Sequence, residues 1–271
     1  DPDNYTVERL WATASDGVKI PLAVVYKKEL KKNGKNPALI YSYGSYGASS
    51  DAYFSASMYS LIDRGFVFAM AQIRGGSDLG EQWYEDGKLL KKKNSFTDFI
   101  ACSEYLIQQK YTSADKLAAM GGSAGGLLMG AVVNMRPDLY QAIVAQVPFV
   151  DVVNTMLDET LPLTIGEYEE WGNPHEEEFY NYMLSYSPYD NTISQNYPNI
   201  LITGGINDSQ VLFHEPTKWT AKLRSVKTDN NLVLLHMNMK SGHGGATGRY
   251  DGIKDTAFEF AFILDRIGIN N

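Results

Sequence analysis

The sequence predicts an α/β fold, a mostly parallel twisted sheet with helices on both faces, for two reasons. Short and nearly continuous apolar segments, such as residues 197–205 (YPNILITGG), are typical of strands buried on both faces. Longer segments with helical periodicity, such as residues 95–110 (SFTDFIACSEYLIQQK), alternate with them. This alternation is typical of a parallel sheet covered by helices. With 271 residues, 44% of them hydrophobic, the chain can bury a core of this size, and we expect one domain, residues 1–271.

The elements follow one another in a regular order after an initial hairpin. Residues 8–28 contain two apolar segments on either side of Asp16-Gly17, a dipeptide that favours a tight turn. Six strands are predicted next, at residues 36–44, 65–73, 115–122, 141–149, 197–205 and 231–239. Five helices are predicted at residues 52–65, 95–110, 124–138, 215–225 and 250–267. Residues 151–197, rich in Tyr, Glu and Pro, break this order and are expected to form an insertion over one edge of the sheet.

Composition and charge argue against several classes of function. The formal net charge of -8 disfavours nucleic acid as a partner and favours cationic ligands. We find no apolar run long enough to cross a membrane, and no motif that predicts a metal or a cofactor. The single cysteine, Cys102, lies in a segment with helical periodicity and is expected to be a small buried residue. One cysteine allows no internal disulfide and fits a reducing compartment, so we expect a cytoplasmic location.

Four glycines surround Ser123 in the segment MGGSAGG, two on each side. Residues 121–125 fit the pattern G-x-S-x-G between a predicted strand and a predicted helix, which is the nucleophile elbow of α/β-hydrolases. A glycine-rich phosphate loop or a plain turn is the alternative, but the lysine of a P-loop is missing. The elbow therefore predicts the α/β-hydrolase fold, with Ser123 as nucleophile at the start of a helix.

A serine nucleophile needs a base and an acid that orients the base. The chain has four histidines, His175, His214, His236 and His243. In this fold the order is Ser, then Asp or Glu, then His, and His243 lies in a glycine-flanked loop after the last predicted strand. Asp208 follows the strand before it, whereas Asp151 and Asp190, in or beside the insertion, are weaker candidates. Ser123, Asp208 and His243 are thus the predicted triad.

The tetrahedral intermediate also requires an oxyanion hole. The backbone N–H of Ala124, directly after the nucleophile, is one predicted donor. The second donor should come from the loop after an early strand, where the hydroxyl of Tyr43 is available and where Gly44 and Gly47 let the backbone curl inward. From the residues alone, Tyr43 is equally well read as an aromatic side chain that packs at the end of a strand.

Long stretches of the chain resemble the oligopeptidase B branch of the prolyl oligopeptidase family of serine peptidases. They are YGSYGAS (43–49), IRGGSDLGEQWYEDGKLLKKKNSFTDF (73–99), MGGSAGGLLMG (120–130), AQVPFVDVVNTMLDE (145–159), LPLTIGEYEEWGNP (161–174), YSPYDN (186–191), NDSQV (207–211), EPTKWTAKLR (215–224) and SGHGG (241–245). The resemblance covers essentially the whole chain. It implies an α/β-hydrolase domain with the triad named above, Tyr43 as oxyanion donor, and cleavage of short peptides after Arg or Lys.

The resemblance also implies residues that bind substrate. Glu167 and Glu169 are expected to bind the basic P1 side chain, because residues two apart in an extended segment point the same way and two carboxylates can converge on one guanidinium. Without the resemblance, this acidic stretch would be read as a solvated surface. Tyr46 and Asp51 are further expected substrate contacts. In some relatives a subsite for a basic P2 residue uses two aspartates of the YGAS loop; Asp51 matches one of them, but the other position is Tyr53, so the P2 preference is left open.

The family also carries an N-terminal seven-bladed β-propeller that caps the active site, and this chain contains no such repeats. We therefore expect a catalytic portion that works with a propeller on the same or a separate chain, or that associates with copies of itself. Two alternatives remain: a carboxylesterase on the same scaffold, or a catalytically inactive binding module.

Overall fold

A computed structural model describes residues 1–51, 53, 55–248 and 250–269 of the chain, and eight strands of this part form one sheet. The strands are β1 (Tyr5–Thr13), β2 (Lys19–Lys27), β3 (Ala38–Tyr41), β4 (Val67–Ala71), β5 (Leu117–Gly122), β6 (Ala142–Gln146), β7 (Asn199–Gly205) and β8 (Val233–Asn238). Their order is β1-β2-β4-β3-β5-β6-β7-β8. The first two strands form the predicted antiparallel hairpin, β2 is also antiparallel to β4, and all later pairs are parallel.

Helices cover both faces of this sheet. They are α1 (Tyr59–Ile62), α2 (Glu81–Glu85), α3 (Lys93–Gln108), α4 (Ala124–Met135), α5 (Val152–Leu157), α6 (Tyr168–Trp171), α7 (Glu177–Leu184), α8 (Pro188–Asn191), α9 (His214–Val226) and α10 (Asp251–Ile267). The larger core cluster joins the sheet to α3, α4 and α9, and the smaller one joins it to α1 and α10. In β5, Ala119 belongs to the first cluster and Ala118 and Met120 to the second, as the alternation of side chains along a strand requires. The predicted α/β-hydrolase fold is confirmed.

Two expectations about the elements need correction. Residues 151–197 connect β6 and β7, which are neighbours inside the sheet, whereas the edges of the sheet are β1 and β8. Of its short helices, α8 contacts α4 and α9, so this part of the insertion packs on the helical layer and not over β1 or β8. The helix predicted at residues 52–65 is only the four residues of α1, and two positions of that range, 52 and 54, lie outside the described residues. Within the described residues, no helix combines the length and apolar character that crossing a membrane requires.

The parallel strands end at a common rim, where the candidate site residues are found. Tyr43 follows β3, Ser123 follows β5, Asp208 follows β7 and His243 follows β8. In open α/β sheets, ligands bind at the carboxyl ends of the strands. The topology therefore brings together residues that lie up to 200 positions apart in the sequence.

Candidate active site

Ser123 lies on a strained turn between β5 and α4. Its φ of 57° falls in the left-handed region, which residues with side chains rarely adopt. A Cβ on Gly121 would lie 2.3 Å from the carbonyl oxygen of Gly125, and a Cβ on Gly125 would lie 2.9 Å from the carbonyl oxygen of Ser42. These two glycines are therefore required by backbone segments that pass too close for a side chain, as the sequence pattern predicted.

Asp208 and His243 form a hydrogen-bonded pair. Nδ1 of His243 lies 2.8 Å from Oδ2 of Asp208, which is buried. The other carboxylate oxygen, Oδ1, accepts the N–H groups of Gln210 and Val211 at 2.9 Å each. Burial alone would raise the pKa of Asp208, but these hydrogen bonds outweigh it and hold the pKa below its usual value. The carboxylate therefore stays ionised near neutral pH and can orient the imidazole ring.

Two of the alternative residues, Asp151 and His236, are engaged elsewhere. Asp151 accepts hydrogen bonds from Lys218 and from Asn154. The ring of His236 packs against that of Phe258 at a tilt of 40°, with ring centroids 4.8 Å apart. Both contacts favour structural roles for these residues.

The loop after β3 brings Tyr43 close to Ser123. Burial raises the pKa of Tyr43, and a hydrogen bond with the side chain of Ser123 opposes this effect. The loop is held from below by Lys92, whose Nζ donates to the carbonyl oxygen of Gly44 at 2.6 Å and to the hydroxyl of Ser45 at 2.7 Å. Lys92 is only 1% exposed, and burial lowers its pKa to about 8. Tyr43 therefore lies beside Ser123, in the same cavity lining as Ala124, which begins α4.

A cavity of about 120 Å³ opens beside Ser123 and combines aromatic walls with a carboxylate. Its aromatic lining is Tyr43, Tyr46, Phe149 and Trp171. The carboxylate of Glu167 also lines it, and Oε2 accepts from the hydroxyl of Tyr46 at 2.5 Å and from Nε1 of Trp171 at 3.1 Å. Both donors bind Oε2. Among the described residues no hydrogen bond to the other oxygen, Oε1, is found, so Oε1 can accept from a cationic side chain of a ligand. The cavity thus suits a ligand with a planar or cationic end.

The structure separates the two predicted P1 glutamates. The prediction that this segment is extended is wrong, because Glu167 directly precedes the short helix α6 and Glu169 lies within it. Residues two apart on a helix point in different directions, and Glu169 is exposed and outside the cavity. Asp51 and Tyr53 are also exposed and outside the cavity lining.

A buried glutamate that sequence reasoning missed supports the site instead. Glu170 is 2% exposed, and its carboxylate accepts the N–H of Tyr46 at 2.9 Å and the hydroxyl of Tyr84 at 2.7 Å. It therefore fixes Tyr46, whose φ of 59° is also left-handed. Neither Glu170 nor Lys92 carries a sequence signal, because both lie in charged stretches that read as solvated surface.

A second cavity, of about 400 Å³, lies on the other side of Ser123, between the His243 loop and α10. Its polar lining includes Gln146, His236, Asp255 and Glu259. Among the described residues, no group of three or more His, Cys, Asp or Glu side chains could hold a metal ion.

A strained serine at an elbow and a buried aspartate–histidine pair, placed at the ends of successive strands, are the arrangement of serine hydrolases on the α/β-hydrolase fold. Comparison with known proteins gives the family. Residues 52–270 match the model of the prolyl oligopeptidase family, and the chain belongs to that family.

The chain is similar to two curated peptidases. Protease 2 of Moraxella lacunata is 52% identical over 269 residues, which are 99% of this chain and 39% of the relative. Dipeptidyl aminopeptidase BI of Pseudoxanthomonas mexicana is 53% identical over 270 residues, 99% of this chain and 37% of the relative. The chain thus spans less than two fifths of the length of either relative.

Solved structures agree with this assignment. Oligopeptidase B of Leishmania major superposes with a TM-score of 0.97 at 54% identity, covering 99% of this chain and 37% of that one. The closed form of oligopeptidase B from Trypanosoma brucei, with covalently bound antipain, gives a TM-score of 0.98 at 47% identity, covering 100% and 38%. The predicted resemblance to the oligopeptidase B branch is confirmed.

Proposed function

We propose that this chain is the catalytic domain of a serine oligopeptidase that cleaves short peptides on the carboxyl side of Arg or Lys. The observation that carries the proposal is the 2.8 Å contact between His243 and the buried Asp208, beside a serine whose strained turn presents it at the same rim of the sheet. Membership of a peptidase family supports the same reading.

In the proposed mechanism, Oγ of Ser123 attacks the scissile carbonyl carbon while Nε2 of His243 accepts the hydroxyl proton. Asp208, bonded to Nδ1, stabilises the imidazolium that forms. The hydroxyl of Tyr43 and the N–H of Ala124 donate to the developing oxyanion. His243 then protonates the leaving amine, the C–N bond breaks, and water hydrolyses the acyl-enzyme by the same steps in reverse order.

The preference for a basic P1 residue is proposed from the cavity beside Ser123. Glu167 supplies a negative charge there, and the rings of Tyr46 and Trp171 supply faces that attract cations. An Arg guanidinium is planar and can bind a carboxylate through two N–H groups, whereas a Lys ammonium is a point charge. The net charge of -8 also favours basic peptides over acidic ones.

We further propose a cytoplasmic enzyme in which an N-terminal propeller, on the same or a separate chain, covers this site and restricts it to short peptides. The relatives' additional length leaves room for such a domain. The one cysteine, Cys102, is buried and reduced, which fits a reducing compartment. Contacts between copies of the chain are an alternative way to cover the site.

Labelling with a fluorophosphonate tests the nucleophile. We expect one covalent adduct, on Ser123, and loss of both labelling and turnover in the variant Ser123→Ala, because triad residues act as a unit. An adduct on Cys102 or on another serine would refute the assignment.

Paired substrates test the reaction class. We expect amides and esters of Arg to be hydrolysed far faster than simple aliphatic esters, which an ordinary carboxylesterase would prefer. Substrates with a free or a blocked N-terminus then distinguish release of dipeptides, the activity in the name of the Pseudoxanthomonas relative, from internal cleavage. Labelling without hydrolysis of any Arg substrate would contradict the proposed specificity.

A further inference from the structure

The segment of residues 146–149, which follows β6, holds the nucleophile through both of its backbone groups. The N–H of Ser123 donates to the carbonyl oxygen of Gln146 at 2.8 Å. The carbonyl oxygen of Ser123 accepts the N–H of Phe149 at 3.2 Å. A shift of this segment would therefore shift Ser123 itself.

This segment is strained at its centre. Val147 has a φ of 39°, an outlier for a β-branched residue. Such conformations cost on the order of 1–3 kcal/mol and persist only where surrounding contacts enforce them. One of these contacts is the N–H of Val147 with the carbonyl oxygen of Thr203 on β7, at 2.9 Å. Gln146 itself is paired with Gly122 of β5 and with Thr203 of β7 in the sheet, and its side chain makes a further contact.

Glu259, on α10, provides that contact. Nε2 of Gln146 donates to both carboxylate oxygens of Glu259, at 2.7 and 2.8 Å. Glu259 is only 6% exposed, and burial raises its pKa to about 7, an effect that Gln146 opposes and Asp255 adds to. The other titratable groups that line the same cavity are His236 and His243, and its described lining contains no Lys or Arg.

A buried carboxylate without a cation beside it destabilises a fold unless its hydrogen bonds compensate. An apolar residue would fill this position on α10 at lower cost, since the helix otherwise packs Phe260, Phe262 and Ile263 against the sheet. The carboxylate therefore has a role beyond packing. Its two hydrogen bonds to Gln146 indicate that this role is to hold the Gln146 side chain in place.

We propose that Glu259 is a positioning residue for catalysis, which acts through Gln146 to hold residues 146–149 and, through them, the hydroxyl of Ser123. The proposal rests on the proposed function, because it assumes that Ser123 is the nucleophile. Glu259 contacts no reacting atom. Neither Glu259 nor Gln146 lines the cavity that contains Glu167, so loss of the contact should lower kcat and leave KM unchanged.

The test uses the full-length protein and compares three variants by steady-state kinetics and by the rate constant of fluorophosphonate labelling, both normalised to folded protein. Glu259→Ala removes the acceptor, and we expect kcat and the labelling rate to fall about 10- to 100-fold, as expected for a small misplacement of a reacting group. Glu259→Gln keeps an acceptor oxygen and should restore most of the rate. Asp265→Ala, which removes an exposed carboxylate from the same helix outside this cavity, is the matched control and should retain the wild-type rate.

A double-mutant cycle shows whether the effect passes through Gln146. Gln146→Met removes the donor and should reproduce the loss, and the double variant Gln146→Met/Glu259→Ala should lose no more than either single variant. If Glu259→Ala does not fold, Gln146→Met alone decides, since an unchanged kcat there overturns the proposal. Additive losses, or an equal loss in Asp265→Ala, also overturn it. A wild-type protein that neither turns over substrate nor is labelled would instead refute the proposed function.

Discussion

At the scale of single residues, the site depends on side chains whose neighbours decide what they do. Tyr43 lines the cavity beside Ser123, and Glu167 accepts hydrogen bonds from Tyr46 and Trp171. The sequence contains 18 tyrosines and a dense run of glutamates. Only the contacts in the folded protein distinguish Tyr43 and Glu167, which line the cavity beside Ser123, from most of the other tyrosines and glutamates.

Tyr43→Phe tests the oxyanion donor. Removing one donor from an oxyanion hole costs about 2.7–4 kcal/mol of transition-state stabilisation, so kcat should fall about 10²- to 10³-fold with little change in KM. The matched control is Tyr41→Phe, the same change two residues earlier, where the ring packs against the cluster on the opposite face of the sheet. An unchanged kcat in Tyr43→Phe would mean that the second donor lies elsewhere.

Glu167→Gln tests P1 selectivity. The change keeps the side-chain volume and removes the charge. Loss of a charge-assisted contact should cost on the order of 1.5–3 kcal/mol of transition-state stabilisation, measured as a lower kcat/KM for an Arg substrate. Hydrolysis of an ester with a neutral P1 residue should barely change. Glu169→Gln is the control, and we expect no loss of selectivity there because its side chain is exposed. Equal losses on Arg and neutral substrates would show that Glu167 supports the fold and not specificity.

At the scale of elements, close approach of backbone segments determines the shape of the elbow. Helix α4 starts directly at Ser123 and lies against the end of β3, with room for a hydrogen but not for a methyl group at Gly125. The contact fixes the distance between the N-terminus of the helix, where Ala124 is one proposed oxyanion donor, and the loop that carries the other proposed donor, Tyr43.

Gly125→Ala should therefore destabilise the fold. Its Cβ would lie 2.9 Å from the carbonyl oxygen of Ser42, and overpacking of this kind costs about 1–3 kcal/mol, more than alanine gains in helix propensity. In Gly252→Ala, on α10, a Cβ meets nothing within 4 Å, so that variant should be neutral or more stable by up to about 1 kcal/mol. Urea denaturation measures both. A Gly125→Ala protein as stable as the wild type would show that α4 can shift away from β3.

At the scale of the whole molecule, several carboxyl groups are buried where the insertion and helices meet the sheet. Glu215, at the start of α9, is 1% exposed and accepts from the N–H groups of Val150 and Asp151 and from the hydroxyl of Thr155. It ties the insertion to the layer of helices below it. Burial nevertheless raises the pKa of Glu215 to about 7, and the charge of Asp151 adds to this effect.

This shift predicts the pH dependence of stability. Between the unfolded pKa of about 4.5 and the folded pKa of about 7, the folded state binds more protons at Glu215 than the unfolded state does. The contribution to the free energy of unfolding is therefore complete below the lower value and is lost as the pH rises to the upper one, by at most about 1.4 kcal/mol per pH unit. Glu259 contributes with the same sign, and Asp208, whose pKa is lowered, with the opposite sign at acidic pH.

Denaturation of Glu215→Gln and wild type at a series of pH values from 4.5 to 8 checks this. The variant should show the flatter decline in stability as the pH rises. The control Glu178→Gln changes an exposed glutamate and should follow the wild-type curve. Parallel curves for all three proteins would show that folding does not raise the pKa of Glu215.

The sequence by itself determined the fold class, the elbow and the candidates for the catalytic acid and base. Buried parallel strands produce apolar runs, the tight turn at Ser123 requires glycines beside it, and the chain order of acid and base follows from the order of the strands. These are local constraints, and each leaves a local pattern.

Only the tertiary structure decided which acidic residues face the cavity and which support it. Glu167, Glu169 and Glu170 lie within four positions of one another, yet one lines the cavity, one is exposed and one is buried beneath the loop of Tyr46. The direction of each depends on a helical turn of four residues that has no periodic signal of its own. The bond between Glu259 and Gln146 likewise joins residues 113 positions apart, and no local pattern records a contact that only the packing of α10 on the sheet creates.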